Sequence, residues 1–116
     1  MSTARAERRQ ASAPAPAALF AALGDSTRLH LVERLTHSGE ALSIAALTEG
    51  SRMSRQAITK HLLVLQKAGV VHSSRLGRES VFSFAPEAIA PARDYLAQVS
   101  AHWDNALDRL KAFVET

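Results

Sequence analysis

The order of segments between residues 43 and 84 constrains the fold more than any other feature of this 116-residue chain. A short apolar segment covers residues 42–50, and a longer helical segment covers residues 54–68. Gly69 ends that segment, and two strand-like runs joined by a turn follow over residues 71–84. Helix, turn, helix and hairpin in this order predict a mainly α-helical fold with a small β-hairpin, the winged helix-turn-helix.

Helix 54–68 has an apolar side and a polar side. Ile58, Leu62 and Leu65 are spaced i, i+4 and i+7, which places them together facing a core. Ser54 is a predicted N-cap, because its hydroxyl can accept a hydrogen bond from an amide of the first turn. The outward side chains are amides, guanidinium groups and other polar groups that pair with base edges and phosphates. We therefore predict DNA contacts by Ser54, Arg55, Gln56, Thr59, Lys60 and His61 of this helix and by Arg75 and Arg78 near the hairpin tip.

Two of these predictions have a structural alternative. The hydroxyl of Ser54 is shared with its capping role, and His61 lies at the rim of the apolar side, where a half-buried structural role is equally open. The other four histidines are scattered along the chain without a second ligand at metal-binding spacing. No metal site is therefore predicted.

The positive charge is concentrated in the same region. Residues 51–80 hold six basic side chains and one acidic one, whereas acids outnumber bases from Pro86 onward, within a net charge of +3 for the whole chain. A localised basic surface is the electrostatic signature of polyanion binding. We therefore expect double-stranded DNA as the partner.

The N-terminal region predicts a tail and two helices. Residues 1–16, rich in arginine, alanine and proline, are predicted to be disordered, and residues 17–116 to form one domain. Residues 17–23 predict a first helix, and Asp25 is the predicted cap of a second. The inward side of the second helix is predicted to comprise Leu29, Val32 and Leu35, with Leu31 at its edge.

A long amphipathic helix is predicted at the C-terminus, over about residues 91–114. Its apolar residues alternate three and four apart, which is a heptad pattern. So small a domain leaves little core for a stripe of this length, so we expect this helix to pack on its copy in a second subunit, with the first helix contributing. Packing within one chain is the alternative. The predicted dimer interface comprises Leu19, Phe20, Leu96, Val99, Trp103, Ala106, Leu110 and Phe113.

The composition excludes several classes of protein. The absence of cysteine excludes disulfides and thiolate metal sites, and it suits the reducing cytosol, where we expect the chain. No apolar run approaches the roughly 20 residues of a membrane-spanning helix. The Gly-x-Ser-x-Gly elbow, the glycine-rich phosphate loop and His-Glu-x-x-His are all missing, so neither an enzyme activity nor a cofactor is predicted.

Three segments resemble the ArsR/SmtB family of bacterial winged-helix repressors: LGDSTRL at 23–29, SRQAITKHL at 54–62 and LQKAGVV at 65–71. The segments occur in the order typical of that family, and the likeness spans roughly residues 17–114. It implies a homodimer that binds a partly palindromic operator and leaves it when a signal arrives.

The chain departs from the family pattern where known signals bind. Ser26 stands where many members have proline, although serine still suits a helix start. The Cys-x-Cys pair of thiolate metal sensors is absent from the third helix. On the terminal helix, neither Asp94 nor His102 has the partner that the family's other metal site requires. The resemblance therefore implies a member without these metal sites and leaves the inducer unknown.

We expect a homodimeric transcriptional repressor that binds a near-palindromic operator through helix 54–68 and the wing 71–84. Two alternatives remain open. One is a winged-helix module that binds a protein partner, which an outward Leu63 favours slightly. The other is a repressor with a small-molecule or non-thiol metal site at the dimer interface.

Overall fold

Residues 16–115 are described by a computed structural model. Within that range the chain forms five α-helices and a three-stranded antiparallel sheet, which confirms the mainly helical winged fold. In chain order the elements are α1 Pro16–Leu23, α2 Ser26–Ser38, β1 Leu42–Ser43, α3 Ile44–Thr48, α4 Arg55–Lys67, β2 Val71–Leu76, β3 Glu79–Phe84, a 3-10 turn Pro86–Ala88 and α5 Ile89–Glu115.

The predicted N-terminal tail, residues 1–16, lies outside the described residues except for Pro16. That proline is the first residue of α1 and not part of a tail. Proline suits a first helical position, because its missing N–H would have no partner within the helix and its fixed φ is already helical. The described part of the first helix therefore begins one residue earlier than the sequence predicts.

The buried side of α2 differs from the prediction. Leu31 and Leu35 are buried, Val32 is partly buried, and Leu29 is 44% exposed, so the inward assignment of Leu29 is wrong. The reason is that α2 packs against both α4 and β3. The ridge that faces both neighbours is the i, i+4 pair Leu31 and Leu35, and Leu29 lies well around the helix from it.

The segment predicted as a third helix from Leu42 begins as a strand. Leu42 and Ser43 form β1, which pairs with Phe82 and Val81 of β3. The hydroxyl of Ser43 accepts a hydrogen bond from the amide of Ala46 at 3.1 Å, so α3 begins only at Ile44. A two-residue strand is too short to show a periodicity, and its partner lies some forty residues away, so the sequence alone did not indicate it.

The end of α4 leads directly into the wing. The amide of Gly69 donates to the carbonyl of Gln66 at 3.0 Å, and the amide of Val70 donates to that of Leu65 at 2.9 Å. This hydrogen-bond pattern is a Schellman motif, which requires a left-handed residue after the cap. Gly69 fulfils the requirement with a φ of 81°.

The wing is a regular hairpin of β2 and β3. Leu76 pairs with Glu79, so the turn consists of Gly77 and Arg78. Gly77 has a φ of 65°, whereas Arg78 has a negative φ, which are the signs of a type II′ turn. The third strand, β1, adds to β3, giving the order β1-β3-β2.

One apolar core holds these elements together. Leu19 is 3% exposed and belongs to this core, so its assignment to the dimer interface is corrected: it offers almost no surface to a second chain. Burial of α1 against the rest of the domain explains this position, since α1 packs on α2 and α4. The core comprises Leu19, Ala22, Leu31, Leu35, Leu47, Ile58, Leu62, Leu65, Ala68, Val70, Val71, Phe82 and Ala88.

Helix α5 is attached to the domain by its first turns. Tyr95 packs on Phe20 of α1, with ring centroids 5.5 Å apart. None of the 27 residues of α5 is buried, and a helix of this length extends about 40 Å. Leu96, Trp103 and Leu110 are 53%, 62% and 58% exposed. Within the described chain, no helix is sufficiently long and apolar to span a lipid bilayer.

Candidate nucleic-acid interface

Helix α4 begins at a side-chain cap. The hydroxyl of Ser54 accepts a hydrogen bond from the amide of Ala57 at 3.1 Å, as predicted. Ile58, Leu62 and Leu65 are buried, also as predicted, and they fix the rotation of the helix about its axis. The N-cap and the residues of α4 therefore determine both where the helix begins and which side of it faces the core.

The polar side of α4 faces solvent. Arg55, Gln56 and Lys60 are exposed, and Thr59 is half-buried. The hydroxyl of Thr59 donates to the carbonyl of Arg55 at 2.7 Å, so its proton is engaged and only its oxygen lone pairs are available to a partner. Leu63 is also exposed on this helix. The side carries the donors and acceptors that a major groove would meet.

His61 faces the junction between α1 and α2. Its ring is half-buried, and its Nδ1 lies 3.3 Å from a terminal nitrogen of Arg28 and 3.9 Å from Oδ1 of Asp25. This position supports the structural alternative for His61. Of the residues predicted on α4 to contact DNA, it is the one whose polar atoms are engaged by another helix.

The wing presents its predicted cations to solvent. Arg75 lies in β2 opposite Ser80, and Arg78 lies in the turn; both are exposed. Within residues 16–115, no carboxylate oxygen lies within 4.0 Å of the charged groups of Arg55, Lys60, Arg75 or Arg78. Their charge is therefore available to an external anion.

A side-chain hydrogen bond joins α4 to the wing. The amide nitrogen of Gln66 donates to the hydroxyl of Ser73 at 2.9 Å. It supplements the Schellman turn at Gly69 in fixing the hairpin against the helix. Sequence reasoning did not identify this pair, since neither residue type indicates a specific partner seven positions away.

Two arginines that sequence reasoning did not assign to a site cap neighbouring helices. Arg34 donates to the carbonyls of Leu47 and Ala46 at 2.8 and 3.1 Å, at the C-terminal end of α3. Arg28 donates through Nε to the carbonyl of Ala22 at 2.6 Å, at the end of α1. Cations at helix C-termini donate to carbonyls that have no partner within the helix, and they interact favourably with the helix dipole. In the sequence, only its place in the family-like segment LGDSTRL indicated a role for Arg28.

The histidines do not form a metal centre within the described chain. His72 pairs with Glu87, which joins the base of the wing to the 3-10 turn. Among residues 16–115 there is no cluster of three or more histidine, aspartate or glutamate side chains that could hold a metal ion.

Comparisons with known proteins find helix-turn-helix transcriptional regulators that are similar to this chain. A family profile described as "Helix-turn-helix domain" matches residues 23–74. The HTH-type transcriptional regulator YuzN of Bacillus subtilis is 43% identical over 75 residues, which are 60% of this chain and 82% of that relative. The HTH-type transcriptional regulator Rv2034 of Mycobacterium tuberculosis is 33% identical over 92 residues, which are 79% of this chain and 81% of that protein. The structure of an ArsR-like transcriptional regulator from Rhodococcus sp. RHA1 has a TM-score of 0.72 and 34% identity, and the match covers 84% of this chain and 90% of that one.

Proposed function

Since the chain belongs to the ArsR family of winged helix-turn-helix transcriptional regulators, we propose that it is a homodimeric repressor whose α4 and wing bind a near-palindromic operator. The observation that carries the proposal is the exposed, unneutralised set of polar and cationic groups on α4 and the adjoining hairpin.

We assign base reading to the first turns of α4. The amide of Gln56 suits bidentate pairing with adenine, and the guanidinium of Arg55 suits guanine or a phosphate. Lys60 and the Thr59 oxygen lie one turn further along, where they can meet a base edge or the sugar-phosphate backbone. The Ser54 hydroxyl is occupied by its cap, so we assign it at most a secondary contact.

We assign phosphate contacts outside the major groove to the wing. Arg75 and Arg78 stand at the hairpin tip, from which cations reach the backbone or the adjacent minor groove. Such contacts position the protein without reading sequence. They make affinity depend strongly on salt.

The second subunit is proposed from α5. Its exposed apolar side chains continue beyond the predicted seam to Leu107 and Val114, forming a wider stripe than a surface helix of a monomer needs. A second copy with the same stripe would bury it in a two-fold interface. Two recognition helices related in this way would occupy half-sites about 34 Å apart, one turn of DNA.

Fluorescence anisotropy on a labelled duplex from the region upstream of the gene tests the proposal. The unmodified protein should bind this duplex more tightly than a scrambled one, and an Arg55→Ala/Lys60→Ala variant should lose the difference. If four cations in each of two subunits contact phosphates, the log-log salt slope should be about −7, at about −0.9 for each phosphate.

The contrary result is equally well defined. Equal, weak binding to both duplexes, or binding by the double variant equal to that of the unmodified protein, would argue against operator reading at this region. If the double variant still regulates transcription, a protein partner would be favoured, and exposed Leu63 offers such a partner an apolar contact. Transcription from a reporter that carries the duplex should fall when the protein is present, and a rise would contradict repression.

A further inference from the structure

The guanidinium group of Arg28 connects three helices. It lies on α2, and its Nε and one terminal nitrogen donate to the carbonyls of Ala22 and Ala21 at the end of α1, at 2.6 and 3.4 Å. Its other terminal nitrogen is 3.3 Å from Nδ1 of His61 on α4. A planar fork of donors presents three separate nitrogens to the three acceptors, whereas a lysine has a single nitrogen.

This contact favours one tautomer of His61. A guanidinium is always charged and only donates, so it forms a hydrogen bond with Nδ1 of His61 only when that nitrogen accepts. Oδ1 of Asp25 lies 3.9 Å from the same ring nitrogen, which is beyond hydrogen-bond distance. Because the hydrogen bond at one ring nitrogen sets the state of the other, acceptance at Nδ1 corresponds to the tautomer with its proton on Nε2.

The other end of the connection leads to α5. The C-terminal carbonyls of α1 are held by Arg28, and Phe20 on the same helix packs on Tyr95 of α5. A continuous set of contacts therefore runs from α5 through α1 and Arg28 to His61. His61 lies two residues after Thr59 on the helix that carries the exposed polar groups.

We propose that Arg28 is a positioning residue for DNA recognition, which orients α4 against the α1 C-terminus by holding His61 as the Nε2–H tautomer. This inference rests on the proposed function, because its consequence is an operator affinity. The proposal assigns Arg28 no direct contact with DNA. Its effect reaches the operator only through the orientation of α4.

The tautomer is tested first and without DNA. Nitrogen-15 NMR of the imidazole side chains, above the ordinary pKa of histidine, should show His61 with an unprotonated Nδ1 in the full chain. An Arg28→Lys variant should show a mixture of tautomers. A protonated Nδ1 in the unmodified protein would overturn the inference, whatever the outcome for DNA.

Affinity for the operator duplex is then compared across five variants. His61→Phe removes the acceptor but leaves Arg28 free to cap α1, whereas His61→Asn supplies an amide oxygen near the position of Nδ1. We expect Arg28→Lys and His61→Phe each to weaken operator binding about tenfold, and the double variant to be no weaker than either. His61→Asn should stay within about twofold of the unmodified protein. Arg93→Lys makes the same chemical change on the exposed surface of α5, and it should bind normally.

The salt slope separates positioning from direct contact. Loss of a phosphate contact lowers the slope by about 0.9 for each site, so the slopes of Arg28→Lys and His61→Phe should equal that of the unmodified protein. A lowered slope would overturn the inference, as would additive effects or an Asn variant as weak as the Phe variant. If Arg28→Lys does not fold, the His61 pair still decides. If the unmodified protein does not discriminate between duplexes, the proposed function fails, while the NMR result still reports on the contact.

Discussion

Asp25 shows how one residue sets the start of a helix. Its carboxylate accepts the amide of Arg28 at 3.0 Å, and that hydrogen bond is the main reason why the pKa of Asp25 lies below its ordinary value of 3.8. The charge of Arg28 lowers this pKa further, while desolvation opposes the shift. The ionised form is therefore favoured in the folded chain.

The lowered pKa predicts an acid-dependent contribution to stability. A group whose pKa is depressed on folding stabilises the protein above its unfolded pKa, and this contribution is lost as the pH falls through the folded value. In urea titrations, the unmodified protein should therefore exceed Asp25→Asn in stability at neutral pH, and the difference should shrink below pH 3.8. Glu33→Gln, on the exposed side of the same helix, controls for the loss of one carboxylate. A difference that is constant with pH would contradict the assignment.

At the scale of elements, the path from α4 into the wing depends on a backbone conformation. Gly69 is left-handed, and the two hydrogen bonds of the Schellman motif place β2 directly after the helix. The Gln66–Ser73 hydrogen bond then connects the last turn of α4 to the neighbouring strand β2. The wing cations are therefore held in a defined position relative to the outward side of α4.

Substitution of Gly69 tests this path. Gly69→Ala should destabilise the chain by about 1–2 kcal/mol, because a β-carbon is strained in the left-handed region. Gly69→Asn should cost less, because asparagine tolerates that region better than alanine does. Urea unfolding of both variants measures the difference. Equal losses for the two substitutions would show that the strained φ is not the cause.

At the scale of the whole molecule, α5 is the part that residues 16–115 leave uncovered. Its attachment rests on its first turns, whereas the apolar stripe that includes Trp103 and Leu110 is exposed along the remainder. Burial of such side chains in a dimer stabilises by about 25 cal/mol per Å² of apolar area. The described part of a single chain leaves these side chains exposed and does not supply that stabilisation.

Trp103→Glu is expected to convert the proposed dimer to a monomer. The substitution places a charge in the centre of the proposed interface, yet it disturbs no core, because Trp103 is exposed within one chain. Sedimentation equilibrium should give the mass of one chain, with far-ultraviolet circular dichroism largely unchanged. Ala101→Glu introduces the same charge on the opposite side of α5 and should remain dimeric. Monomer formation by both variants, or by the unmodified protein, would argue against this interface.

The sequence by itself determined the features that depend on near neighbours. The buried spacing of Ile58, Leu62 and Leu65, the caps at Asp25 and Ser54, and the hairpin turn all follow from residues within a few positions of one another. Local backbone geometry and helical periodicity decide such features before the chain is packed. For this reason the order of the helices and the hairpin and the candidate DNA-binding surface were predictable.

Only the tertiary structure decided what depends on partners far along the chain. The pairing of β1 with β3, the choice of Leu31 over Leu29, and the burial of Leu19 each depend on which element packs on which. The Arg28–His61 contact spans 33 residues and has no periodicity that could indicate it. Side-chain hydrogen bonds of this kind are specified by three-dimensional proximity, which a residue pattern does not encode.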